Sequence, residues 1–140
     1  MEVLTPTCKF FTESSSIYLM FHSVLCCIGV AMTFETIAAA ALLRTLAPEL
    51  RVRVVNVTDL MVLGKAGSHP HALTNESFDS LFTKDRPIHF NYHGYPIELK
   101  GLLFGRPNLE RMTIEGYNEE GTTTSPFDVR FPLVCGKAVY

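Results

Sequence analysis

Four histidines, one glycine–lysine loop and a run of carboxylates and hydroxyls are the places where this sequence could do chemistry. His69, His71, His89 and His93 suggest a metal, because imidazole is a common ligand. Their spacing argues against it. His89 and His93 would share one face of a strand, where positions four apart are separated by roughly 13 Å, too far for a single zinc ion to join them. His69-Pro70-His71 lies in a loop, so no protein-built metal centre is expected. Gly64-Lys65-Ala66-Gly67-Ser68 has the outline of a phosphate-binding loop, but the first glycine of that motif would fall at Asp59 and Ala66 offers no hydroxyl to magnesium. It reads as a surface loop. The turn Gly29-Val30-Ala31-Met32-Thr33 lacks the further glycines of a dinucleotide fingerprint, and close helix packing is the better account of Gly29.

The most unusual stretch is Glu119-Glu120-Gly121-Thr122-Thr123-Thr124-Ser125-Pro126. Its two carboxylates, glycine and four successive hydroxyls suit a polar loop that positions a partner or ligand, and equally a solvated turn capping a helix. The cysteines are Cys8, Cys26, Cys27 and Cys135, with no C-x-x-C pair among them. Adjacent Cys26 and Cys27 on a strand would point to opposite faces, so both read as small apolar packers in a reducing compartment, which points to the cytoplasm. No Ser-His-Asp or Cys-His set assembles, and no catalytic residue, cofactor-binding residue or metal ligand is assigned.

The elements that must carry these residues follow from periodicity. Ser23 to Ile28 is an apolar run ending at Gly29, as in a buried strand. Thr33 offers an N-cap and Glu35 a favourable charge in the first turn of a helix running to about Leu46, with Phe34, Ile37, Ala38, Ala41 and Leu42 at helical spacing and Pro48 ending it. Arg51 to Val57 is a β-branched run, the most secure strand. Thr74 caps a short helix through Phe82, with Phe78, Leu81 and Phe82 on one face. In Ile88 to His93, Ile88, Phe90 and Tyr92 share one face while His89, Asn91 and His93 share the other. Tyr95 to Phe104 is helical, with Pro96 in its first turn and Leu99, Leu102 and Leu103 inward. Met112 to Tyr117 is the last strand. Strands alternating with helices predict a three-layer α/β/α fold with a mainly parallel, Rossmann-like sheet. In such sheets, sites lie beyond the carboxyl ends of the strands, here near Gly29, Asn56 to Asp59, His93 to Tyr95 and Tyr117 to Thr122. Asn56, Asp59, His93, Glu119, Glu120 and Thr122 are therefore the candidate site-edge or interface residues.

Composition narrows the function further. At 140 residues, with 47% apolar and 19% charged residues and a net charge of −2, the chain suits one ordinary globular domain. Dispersed Lys and Arg exclude a nucleic-acid interface. The stretch Ile17 to Phe34 approaches spanning length, but His22, Ser23 and Gly29 interrupt it and no basic cluster flanks it, so a membrane segment is not expected.

Several segments in order resemble one family. They are Thr33-Phe34-Glu35-Thr36, Val52 to Met61 with the core Val54-Val55-Asn56-Val57-Thr58-Asp59, His69-Pro70-His71, Phe78-Asp79-Ser80-Leu81-Phe82-Thr83, His93-Gly94-Tyr95-Pro96, and Gly116-Tyr117-Asn118-Glu119-Glu120-Gly121-Thr122-Thr123-Thr124-Ser125-Pro126-Phe127-Asp128. Together they look like the C-terminal domain of the thiamine-diphosphate-dependent phosphoketolases, over residues 24–128. The resemblance implies a fold similar to the transketolase C-terminal domain. It implies a parent homodimer that splits xylulose 5-phosphate or fructose 6-phosphate with phosphate, giving acetyl phosphate and an aldose phosphate. Thiamine diphosphate and magnesium do that chemistry in two preceding domains, so none is expected to bind this chain. Residues 1–23 and 129–140 diverge from the family, which implies a domain truncated at both ends, as in a shortened or mis-spliced gene product.

The leading expectation is thus a phosphoketolase fragment whose domain is structural, covering the catalytic domains and contributing to subunit contacts. The alternatives are a standalone small-ligand module using the strand-end crevice, and a regulatory interaction protein derived from the same domain.

Overall fold

In the computed structural model the described residues are 8–11 and 22–117, with the backbone alone described for 8–11. Three segments of β-branched and apolar residues pair in parallel at its centre: β2 (Ser23–Ile28), β3 (Val52–Val57) and β4 (Ile88–Tyr92). A short strand β1 (Cys8–Phe11) pairs antiparallel with β3, and β5 (Met112–Glu115) pairs in parallel with β4, giving the order β1-β3-β2-β4-β5. The sheet is mainly parallel, as the alternation of elements requires.

Alternation along the strands sorts side chains into two cores. On one face Val24, Cys26, Ile28, Val55, Val57, Ile88 and Phe90 meet Phe78 and Phe82 of α2 (Asn75–Phe82) and Leu99 and Leu103 of α3 (Pro96–Leu103). The rings of Phe78, Phe82 and Phe90 succeed one another at 4.5 and 5.9 Å; truncating one of them to alanine costs about 3–5 kcal/mol. On the other face Cys27 and Val54 pack against Met32 and Ala40 of α1 (Val30–Leu46). Thr74 caps α2 as its sequence announces, accepting from the Ser77 N–H at 3.2 Å.

Two expectations about α1 are corrected. The helix begins at Val30, so Thr33 is not its N-cap and Glu35 is not in its first turn. Gly29, at φ +105°, makes the entry, and the Thr33 hydroxyl turns back to the Gly29 carbonyl at 2.9 Å. The buried face is also different: Met32, Thr36 and Ala40 lie inward, whereas Phe34, Ile37, Ala38, Ala41 and Leu42 are exposed. Flat apposition on a sheet favours the small side chains Thr36 and Ala40 beside the unbranched Met32, and Phe34, Ile37 and Leu42 turn outward.

The short α2 is held by arginines from elsewhere in the chain. Its last carbonyls lie at a partial negative charge and need donors. Arg53 on β3 donates to the Ser80 and Leu81 carbonyls at 2.7 Å each. Arg111, just before β5, donates to Phe82, Thr83 and Arg86 carbonyls at 3.1, 2.8 and 2.8 Å. Arg106, buried beside Phe78, donates to the Val62, Leu63 and Leu73 carbonyls and to Asn75 Oδ1. It thereby fixes the loop between β3 and α2, including the 3-10 turn Leu60–Leu63.

Candidate functional site

The helices that follow β2 and β4 leave on opposite faces of the sheet, α1 on one and α3 on the other, so a crevice opens between the carboxyl ends of these neighbouring strands. Gly29 ends β2 and His93 ends β4. The His93 N–H donates to the Ile28 carbonyl at 3.0 Å, which continues the ladder by one residue. A Cβ on Gly29 would stand 2.7 Å from His93 Cβ, so both the positive φ and the close approach demand glycine there. Val30, Ala31, Phe34, Glu35 and His93 line an open depression at this point. Tyr117 stacks edge-on to His93 at 5.1 Å, and Tyr95 to Tyr117 at 6.0 Å. The Tyr117 N–H donates to the Gly94 carbonyl at 2.9 Å, and a Cβ on Gly116 would collide with that same oxygen. Among the described residues the rim is therefore mostly aromatic and apolar, with Glu35 its carboxylate and His93 its imidazole.

Behind the depression a polar row runs under α1. Asn56, Cys27 and Asn91 are in register across β3, β2 and β4. The Thr33 hydroxyl is 3.2 Å from Asn56 Oδ1 and 2.9 Å from the Gly29 carbonyl, so one proton serves two acceptors. Asn91 Nδ2 donates to the Thr36 hydroxyl at 3.4 Å, and Asn91 Oδ1 is buried with no protein donor among the described residues. Burial pushes the Cys27 thiol pKa up, against smaller opposing hydrogen bonds that include Thr33 and Thr36. A thiol kept protonated and 3.5 Å from the Val55 carbonyl is a packing residue and not a nucleophile. Cys26 is likewise buried, so the reading of this pair as packers holds.

Asp59 belongs to a different feature. Its carboxylate caps the 3-10 turn by accepting from the Met61 N–H at 2.9 Å and meets His71 Nδ1 at 2.7 Å. The Met61 N–H, and next His71, hold its pKa below the usual carboxylate range. The His71 N–H donates to His69 Nδ1 at 3.1 Å, and the two rings lie edge to face. Gly64 to Ser68 forms a turn closed by the Ser68 N–H and hydroxyl on the Lys65 carbonyl at 3.0 and 2.6 Å. Among the described residues no three His, Cys, Asp or Glu side chains converge in a way that could hold a metal ion. Burial lowers the His89 pKa, opposed by the charge of Glu115. No helix of the described residues is long and apolar enough to cross a membrane.

Of the expected site-edge residues, Asn56 therefore faces α1, His93 the crevice, and Asp59 the loop, and no hydrogen bond joins any two of them. Glu119, Glu120 and Thr122 lie outside the described residues. Sequence reasoning missed Thr33, Thr36 and Asn91 as one polar seam. The available signal was two threonines one turn apart in a helix, opposite a strand face of polar residues.

Residues 10–132 match the family described as the XFP C-terminal domain. The chain belongs to that phosphoketolase family. It is 57% identical over 106 residues to a probable phosphoketolase of Schizosaccharomyces pombe, covering 76% of this chain and 13% of that protein. It is 52% identical over 122 residues to a probable phosphoketolase of Chlorobaculum tepidum, covering 82% of this chain and 15% of the relative. A probable phosphoketolase of Mesorhizobium japonicum is 51% identical over 106 residues. The chain thus spans 13 to 15% of the length of these phosphoketolases. In this chain the domain is a three-layer unit with an aromatic crevice at the ends of β2 and β4.

Proposed function

We propose that this chain serves as a structural and interface domain of a phosphoketolase and performs no bond making alone. In this reading the parent is a cytoplasmic homodimer that splits xylulose 5-phosphate or fructose 6-phosphate with inorganic phosphate, releasing acetyl phosphate and a shortened aldose phosphate. The observation that carries it is identity above one half with proteins of which this chain covers no more than 15%. The remaining length is where thiamine diphosphate and magnesium would be held. The described residues do not fit that pair: magnesium on a diphosphate needs converging oxygen ligands, while Asp59 is engaged by Met61 and His71 and the crevice carries a single carboxylate, Glu35. No step through that cofactor is assigned to this domain. The domain boundaries 24–128 and an interface role for Asn56, Asp59, His93, Glu119, Glu120 and Thr122 belong to the same proposal.

The test is to supply the purified chain with xylulose 5-phosphate, phosphate, thiamine diphosphate and magnesium and to assay acetyl phosphate as its hydroxamate. No product is expected, and turnover would overturn the reading. Calorimetry with sugar phosphates, nucleotides and thiamine diphosphate addresses the alternative, since clear binding to the isolated chain would make it a small-ligand module.

A further inference from the structure

A helix lying on one face of a sheet needs a polar outer side, and α1 lacks one. Its seventeen residues carry two charges, Glu35 and Arg44. At 3.6 residues per turn, Val30, Phe34, Ile37, Ala38, Ala41 and Leu42 fall within an arc of about 140°, with Glu35 and Arg44 on its two borders and Thr45 its only polar member. Apart from Ala31, which packs against the inner core, the arc points away from the sheet: Val30 is 77% exposed, Phe34 69%, Leu42 58% and Ile37 37%. Met32, Thr36 and Ala40 occupy the opposite side against the strands. A helix apolar all round is a buried helix.

Given the phosphoketolase reading, on which this inference rests, we propose that the outer face of α1 is the seat of another domain of the same polypeptide, through an apolar, uncharged surface of that domain. Two observations select this occupant. First, at least 85% of each relative's length lies outside the match, so most of the surroundings of this domain are parts of its own chain. Second, the strip is small. Seventeen residues make a helix about 25 Å long, so a strip of helical width offers roughly 250 Å². A free-standing dimer needs about 800 Å² per partner, so a second copy docking here alone would not hold. A tethered domain needs much less, because the linker supplies an effective concentration in the millimolar range.

The experiment uses a full-length chimera, the Schizosaccharomyces pombe relative with its matching 106 residues replaced by those of this chain. Phe34→Lys with Leu42→Lys is compared with Phe104→Lys, whose ring is 78% exposed on the opposite side of the sheet. The double substitution should lower the melting temperature of the chimera by at least about 5 °C and expose the C-terminal domain to protease. Phe104→Lys should do neither, and the isolated chain should shift by less than about 2 °C with either change. Equal stability of the substituted and unsubstituted chimeras would overturn the docking of α1 and leave the family reading intact. A drop in the isolated chain as large as in the chimera would also overturn it, because the face would then be covered from within. Failure of the unsubstituted chimera to assemble, where the parent does, would remove the phosphoketolase reading and the docking with it.

Discussion

Replacing Arg106 with leucine should unfold the loop between β3 and α2 more effectively than any surface change in that region. Arg106 is 3% exposed, and its guanidinium donates to the Val62, Leu63 and Leu73 carbonyls at 3.2, 3.2 and 2.8 Å and to Asn75 Oδ1 at 3.0 Å. It also sits 4.5 Å above the Phe78 ring. Leucine fills part of the volume and donates nothing. Each buried carbonyl left dry costs about 1–3 kcal/mol, and losing the ring contact adds about 0.5–2 kcal/mol. Against this, the charge has no carboxylate partner within ion-pair distance among the described residues, so its removal returns several kcal/mol of desolvation. Water entering the vacated space re-satisfies some acceptors. The net loss should be about 2–4 kcal/mol, which for a domain near 100 residues lowers the melting temperature by at least about 8 °C. Lysine should lose most of the same stability, since one ammonium cannot span four acceptors that a planar fork reaches together. Circular dichroism melts of the purified chain give the shift. Hydrogen exchange at the Leu73 N–H, bonded to the Val62 carbonyl at 3.1 Å, reports the loop directly. An Arg106→Leu chain within about 0.5 kcal/mol of the parent, with Leu73 still protected, would show that the clamp is dispensable and the reasoning wrong.

Gly29→Ala should cost more than about 2 kcal/mol, because the residue sits at φ +105° and the new Cβ would meet His93 Cβ at 2.7 Å. His93→Gly should return part of that loss in the double variant, and strictly additive urea midpoints would refute the steric share. For His89, burial lowers the folded-state pKa, with Glu115 opposing. Protons then bind the unfolded chain more tightly, so this contribution is fully present above the ordinary histidine pKa of about 6.5 and is lost as pH falls through the lower folded value. His89→Gln should flatten the fall in stability between about pH 7.5 and 5; an unchanged slope would exclude His89 as its source.

The four parallel strands are legible because apolar and β-branched runs such as Val52 to Val57 have few other uses, and α2 because Thr74 and Phe78, Leu81 and Phe82 mark both its start and its buried side. The antiparallel β1 is not placed from the sequence, and the inner face of α1 is not legible there either. With apolar residues on every side, periodicity cannot tell sheet from outer contact, and the larger side chains misled where Thr36 and Ala40 do the packing. From the sequence Gly29 reads as a helix-packing residue, whereas the structure gives it a positive φ and a neighbour, His93, that comes from a strand far along the chain. Asn56 and His93 could be placed at strand ends from the element pattern, while the pairing of Asp59 with His71 depended on a loop path that carries no period. Arg106 follows Gly105 and precedes Pro107, and nothing local distinguishes it from an exposed turn residue.

The arginines that close α2 bear on the order in which the chain can fold. Helix α2 has eight residues, below the length at which an isolated helix persists in water, and its final carbonyls are answered by Arg53, made before it, and Arg111, made after it. During synthesis the helix can begin from Thr74 and lean on β3 through Arg53. Its far end stays unanswered until the chain has reached Arg111. Completion of α2 and addition of β5 should therefore form one late cooperative step, and a released chain ending before Arg111 would have its second helix still fraying at the far end.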